Sequence, residues 1–451
     1  MVYRAGVTTK SPFSINIPLL VLTVVIGFLV VATPSLVEKW VNRNGSVPQV
    51  GGAVNQIDLS PQSISLSRQI LLKGNTLPPE SGKALLRVAF TEQQIEAISN
   101  NNVQVQYHVS ANELRTFGFD TKRGVEFTSQ VSAEDFDPGV YNLVVTIGDW
   151  QSTSLELTVT YPLYVTWTFD WEGYDVKQEH LDTIVRQSNE HEIPLTHFFN
   201  PRIYTNPNLS PARAQELTNW VIARRDVQGD DIGLHLHMQP DMVLAAGVEV
   251  QENAARWGSN LKDGYDVLTS EYSYGDMVKM LNWSKSMFKS RGLGTPIMYR
   301  AGGWYADEEI LQAVHDTGFA LDSSARTEYA FGHGHVAGHW NIAADQSPYR
   351  LNLNDQNDVN GTSGLWEFPN TGADSWSFTA AQMIERFELQ HGQVLTEPHV
   401  VTFLSHPEWY NVDAPKMDQV LAHTDQFLHS ADRGNVVYAT LSAVYTVWEN
   451  K

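Results

Sequence analysis

Apolar and polar residues alternate with a period of two along the stretch ending near Pro162. Val103, Val105, Tyr107 and Val109 share one parity. Tyr141, Leu143, Val145 and Ile147 share another, and Leu155, Leu157 and Val159 follow after "GDWQ". This period, with turn residues between runs, predicts half-buried antiparallel strands. Beyond Pro162 the pattern changes. Short apolar runs appear, among them "LYVTWTFDW", "IPLTHFFN", "DIGLHLHM", "PIMYRAGGW", "FALDSSA", "LWEFPN", "HVVTFLSHPEW" and "NVVYATLS". Between them lie helical stretches such as "ARAQELTNWVIARR", "YGDMVKMLNWSKSMFKSRG", "DEEILQAVHDTG", "AAQMIERFELQHG" and "MDQVLAHTDQFLHSADRG". In "DEEILQAVHDTG", Ile310, Leu311 and Val314 fall at helical spacing, acids open the first turn and Gly318 closes it.

Strand and helix in alternation imply a mostly parallel sheet, and this many units predict an α/β fold of distorted (β/α)-barrel type over 163–451. The alternating segment, 57–162, is expected to form a β-sandwich; "DPGVY", Asp137 to Tyr141, resembles the tyrosine corner of immunoglobulin-like domains. Residues 42–56, rich in Asn, Gly, Ser and Pro, read as a linker. Residues 1–41 hold the apolar run "IPLLVLTVVIGFLVVA", and no charged side chain occurs between Lys10 and Glu38. About 20 apolar residues span a bilayer as a helix. A cleaved signal peptide is the alternative, but "VVATPSLVEKW" offers no clear A-x-A site. A transmembrane anchor with an exported body is therefore expected, although basic residues flank the run on both sides.

Composition narrows the chemistry. The 451 residues carry a formal charge of −21, which disfavours nucleic acid as a partner because its phosphates would be repelled. There is no cysteine, so any metal must be held by His, Asp or Glu. Asp170, Glu172, His235, His237, Arg300, Asp322 and His406 all fall at the C-terminal end of an inferred strand, where barrels of this kind gather their chemistry. Asp170 and Glu172 share one strand parity, and His235 and His237 share another. Two acids facing one way repel unless a cation joins them. Two histidines with one carboxylate suit zinc or a similar ion, leaving the other carboxylate free to take a proton from water. Taken alone, each pair is also common in chains of this size.

From about Pro162 onward the chain resembles the NodB-type polysaccharide deacetylases, carbohydrate esterase family four. "TFDWEG" is similar to their T-F-D-D motif, "DIGLHLHMQP" to the histidine motif, "RAGGW" to R-P-P-Y-G, "LDSSA" to the fourth motif and "LSHPEW" to L-x-H. The resemblance implies a metal-dependent hydrolase, with zinc the expected ion, that removes acetyl groups, mostly N-acetyl, from a polysaccharide. By the same match Asp170 would be the catalytic base, and Glu172, His235 and His237 the metal ligands. Arg300 would hold the base through a bidentate pair. The Gly303 N–H would face the oxyanion beside Trp304, Asp322 would orient His406, and His406 would be the general acid. The family's second histidine falls at Gln239 in this chain, so the ligand is assigned to the compact H-x-H at His237.

Other candidates have two readings each. His333, His335 and His339 in "FGHGHVAGHW" form a second metal site or a Gly/His loop near the mouth. Trp171, Trp304, Trp376 and Trp409 stack on sugar rings or pack in the core. Glu367 contacts substrate hydroxyls or serves as a cap. Two other functions compete: a non-catalytic glycan-binding barrel, and, ranked last, a glycoside hydrolase. Two acids on one strand are badly placed to flank a glycosidic bond, which needs carboxyls ~5–9.5 Å apart across the sugar.

Overall fold

The computed structural model describes residues 58–74, 79–98, 103–252, 254, 267–326 and 340–450. The expected anchor and linker, 1–56, and His333, His335 and His339 lie outside the described residues. No helix among the described residues is long and apolar enough to cross a membrane.

The alternating segment folds into two sheets. Ser63–Leu66, Lys83–Ala89, Glu126–Ser132 and Thr121–Arg123 make a four-stranded sheet. A six-stranded sheet is built around Val103–Ser110, Gly139–Ile147 and Leu155–Thr160. The same-parity residues Val105, Leu143, Val145, Leu157 and Val159 are fully buried and share one core with Leu86 and Val88 of the other sheet. The Tyr141 hydroxyl donates to the Asp137 carbonyl at 2.7 Å, tying the turn where the sequence placed its corner.

The second core surrounds Leu163–Asp170, whose eight residues are all buried, as a strand covered on both faces requires. It pairs in parallel with Leu195–Phe199 and His399–Ser405, and at its start with Val436–Tyr438. The ladder continues in parallel through Asp231–Leu236, Met298–Ala301, Leu321–Asp322 and Trp366–Glu367. A short antiparallel strand, Tyr349–Arg350, lies outside Trp366–Glu367. The chain after Glu367 joins the two ends of the sheet. Asn370 bridges to Arg326 and Asp374 to Leu404, with Gly372 N–H donating to the Thr402 carbonyl at 2.9 Å. An irregular stretch thus stands where a full strand would close a regular ring.

Helices cover the sheet. Ser210 caps Pro211–Ala223, Ser273 caps Tyr274–Ser290, Asp307 caps Glu308–Asp316, and a Thr379/Gln382 capping box starts Ala380–Glu388. Helix Tyr410–Thr424 begins seven residues before the expected Met417 and carries Pro415 inside it. Ile57–Lys451 packs as one unit. Arg68 donates to the His429 carbonyl at 2.7 Å, and Asp432 accepts from the Gln69 and Ile70 N–H groups. These bonds tie the two-sheet domain to the segment that leads into Val436–Tyr438.

Candidate active site

Parallel register brings the polar strand ends together. Asp170 lies beside Phe198, His235 beside Arg300, and Asp322 beside Glu367. Glu172 stands two residues past the end of its strand, in a turn, rather than on the strand itself. It nevertheless meets three imidazoles. Its Oε2 is 2.8 Å from His237 Nε2, and its Oε1 is 3.5 Å from His235 Nε2 and 3.6 Å from His406 Nε2. Burial would push the Glu172 carboxyl up, but His237, and after it His235, hold it well below the usual carboxylate range.

The donor set fits a divalent cation. Ligand atoms of Glu172, His235 and His237 all lie within 4.8 Å of one another, and all three residues are buried. The His235 Nδ1 stands 3.0 Å from the Arg300 carbonyl, which can only accept, so Nδ1 carries the proton. Its Nε2 lone pair then faces the cluster, buried and without a hydrogen bond. Gly302 makes room for the second imidazole: a Cβ there would sit 2.6 Å from His237 Nδ1. His237, not Gln239, completes the set. Gln239 lines the same pocket and donates to the Tyr174 hydroxyl at 3.4 Å.

Asp170 is held by Arg300, a fully buried side chain, through one bond of 2.8 Å from Nη1. The expected bidentate pair is not formed. The neighbouring strand end takes the rest of the guanidinium: Nε donates to the Ser323 carbonyl at 2.9 Å and Nη2 to Ser323 Oγ at 2.7 Å. Nη1 also reaches Thr168 Oγ1 at 2.8 Å, and Phe198 lies 4.1 Å beneath.

Asp322 corrects a second expectation. Its carboxylate accepts from Ser324 Oγ at 2.8 Å and Ser324 N–H at 3.1 Å, and it interacts with Glu367 rather than His406. Both acids are fully buried. Burial pushes Asp322 up; burial and then the Asp322 charge push Glu367 well up. Glu367 accepts from the Ala325 N–H at 2.9 Å and is absent from the pocket lining, so it offers no contact to a substrate hydroxyl. Besides Glu172, the acid in electrostatic reach of His406 is Asp413, on the following helix. Burial pushes the Asp413 carboxyl up, and Ser375, His406 and Lys416 partly offset this. Asp413 Oδ2 and His406 Nδ1 are both buried without a hydrogen bond.

Asp170, Glu172, His235, His237 and His406 line a cavity of about 360 Å³ that also takes in Gly303, Trp304, Asp374, Trp376, Glu408 and Trp409. No Lys or Arg is among its described lining residues. Gly303 and Trp304 both take left-handed backbone, with φ of 60°. Trp376 and Trp409 are 51% and 43% exposed and stack at 6.3 Å beside His406. Trp171 is in the core, wholly buried against His197, Phe199 and Trp220, and so is removed from any sugar. Glu408 and Asp413 were missed in the sequence. The run "LSHPEW" contained Glu408, but nothing in its spacing tied it to Glu172.

No family model matches the chain, and no curated protein sequence does. Solved structures are similar to it at low identity. A candidate polysaccharide deacetylase from Mycobacterium smegmatis is 15% identical, with 64% of this chain and 91% of that one covered and a TM-score of 0.38. A family 4 carbohydrate esterase from Streptomyces lividans, in complex with acetate, is 11% identical, over 60% and 96% of the two chains, at a TM-score of 0.31. The chitin deacetylase of Colletotrichum lindemuthianum is 10% identical, over 61% and 85%, at 0.33.

Proposed function

We propose that residues 163–451 are a metal-dependent hydrolase that removes acetyl groups, foremost N-acetyl, from a cell-surface or secreted polysaccharide. The observation that carries this reading is the meeting of Glu172, His235 and His237 on one pocket wall, with Asp170 and His406 lining the same pocket.

A divalent ion held by Glu172, His235 and His237, with zinc the expected metal, would supply a Lewis acid for water and the acetyl carbonyl. Asp170, fixed by Arg300, takes the proton of the attacking water. The Gly303 N–H faces the charge that grows on the carbonyl oxygen, and Trp304 walls that side of the pocket. His406 gives a proton to the leaving nitrogen, with Asp413 behind it. The carbon–nitrogen bond breaks, and acetate and a free amine leave. Trp376 and Trp409 offer flat apolar faces to a sugar ring.

The N-terminal run is read as a membrane anchor, and the two-sheet domain as an immunoglobulin-like spacer that holds an exported catalytic body away from the bilayer. The aromatic pair would also suit a barrel that binds glycans without cleaving them. One assay separates the two: acetate release from acetylated chitooligosaccharides by zinc-supplemented protein. Wild type is expected to release acetate, and Asp170→Asn and His237→Ala to fall to background. Binding of the oligosaccharide without release, or release unaffected by both changes, would contradict the proposal.

A further inference from the structure

Glu172 is beyond the reach of the sheet. The last ladder-like bond of its segment is from the Trp171 N–H to the Phe198 carbonyl, 3.0 Å. What fixes Glu172 instead is a side chain: its N–H donates to Glu408 Oε1 at 2.8 Å, a bond spanning 236 residues of chain and buried from water. The far side of the same turn is also gripped. The Gly173 carbonyl accepts from Asn206 Nδ2 at 2.9 Å and Arg202 Nη1 at 3.4 Å. Gly173 has φ of +77°, and a Cβ there would lie 2.7 Å from Arg202 Cβ, so the turn is pressed against its neighbour. Glu408 sits on the short turn Pro407–Trp409, directly after His406. That turn is anchored in its own right, because His180 Nδ1 lies 2.9 Å from the Pro407 carbonyl.

We infer that Glu408 is a positioning residue that sets where Glu172 stands against His235 and His237, and so governs how tightly the three hold a divalent ion. The inference rests on reading that set as a metal site. Groups behind metal ligands typically change affinity about 10- to 100-fold when removed. Glu408 does so through the backbone of the ligand rather than through its carboxylate. One buried carboxyl thereby ties the turn carrying Glu172 to the turn carrying His406.

The test is zinc affinity of the full chain after chelator treatment, by competition with a chromophoric chelator, alongside melting of the metal-free protein. Glu408→Ala is expected to weaken zinc binding about 10- to 100-fold. Glu408→Gln keeps an acceptor oxygen at the same reach and is expected to lose less than Glu408→Asp, whose carboxylate is withdrawn by one methylene. That order marks position, since a role through charge alone would reverse it. The Gln/Asp comparison decides the matter even if Glu408→Ala fails to fold. Unchanged zinc affinity in Glu408→Ala and Glu408→Asp, with only the metal-free melting temperature lowered, would overturn the inference and leave a structural role. Wild type that takes up no zinc would overturn the metal reading as well.

Discussion

At Glu172 a buried carboxylate meets three imidazoles; at Asp322 and Glu367 two buried carboxyls meet each other. Both clusters stand at the same end of one sheet, and the acids in both are buried, so desolvation opposes ionisation at each. The outcomes differ because the partners differ. The Glu172 carboxyl is held well below its ordinary range by the His237 and His235 interactions. The Glu367 carboxyl is driven well above it by burial and the Asp322 charge. Such a pair titrates as a unit and retains a proton where a lone acid would lose it. The first arrangement is suited to a cation, and the second to a hydrogen bond that braces two strand ends. An acid at the end of a barrel strand is therefore not in itself a functional residue; the groups facing it decide.

The comparison is broken most severely at its first half. Glu172→Ala combined with His237→Ala is expected to abolish acetate release, a loss larger than the ~10–100-fold of changes behind the ligands. Asp413→Asn should come next. It acts through His406, so it is expected to remove part of the ~10²–10⁴-fold contributed by a proton-transfer residue, in kcat with KM unchanged. Trp376→Ala and Trp409→Ala should raise KM for acetylated oligosaccharides by up to ~10-fold, from about 0.5–1.5 kcal/mol of ring contact. Both variants should hydrolyse a small acetyl ester like wild type.

The smallest effect on activity is expected at the second half. Glu367→Gln replaces a carboxyl that burial and Asp322 push toward its neutral form with an amide of the same shape, and should leave turnover close to wild type. Its signature is in stability. A carboxyl raised in the folded state contributes fully below its ordinary value of 4.5 and loses that contribution as pH climbs through the raised folded value. As pH rises above 4.5, Glu367→Gln should therefore gain unfolding free energy relative to wild type, as urea unfolding of both proteins across that window would measure. An identical slope in both proteins would mean that Glu367 does not hold a proton.

Much of this arrangement was legible in the chain. All eight apolar runs after Pro162 correspond to parallel strands, because buried strands need continuous apolar stretches. The convergence of Glu172, His235 and His237 followed from where polar residues interrupt those runs. What was not legible depends on contacts that spacing does not encode. Asp413 was hidden because the helical stretch was expected from Met417, whereas the helix starts at Tyr410 and takes in Pro415. Helices Gln178–Glu190 and Leu441–Glu449 went unnamed; the first does bury one face, but polar His180, Gln187 and Ser188 share it with Leu181 and Ile184, which thins its apolar signal. Asp322 was assigned to His406 on resemblance, whereas its strand register places it against Glu367. Arg300 was expected to spend its fork on Asp170, but Ser323 on the next strand end takes two of its donors.

The most direct test is the zinc content of the purified full chain after dialysis against the metal, measured for wild type and for Glu172→Ala/His237→Ala. A single tightly held zinc per wild-type chain, lost in the double variant, is the expected result. Wild type without bound zinc, or a double variant that retains it in full, would contradict the assignment of this pocket.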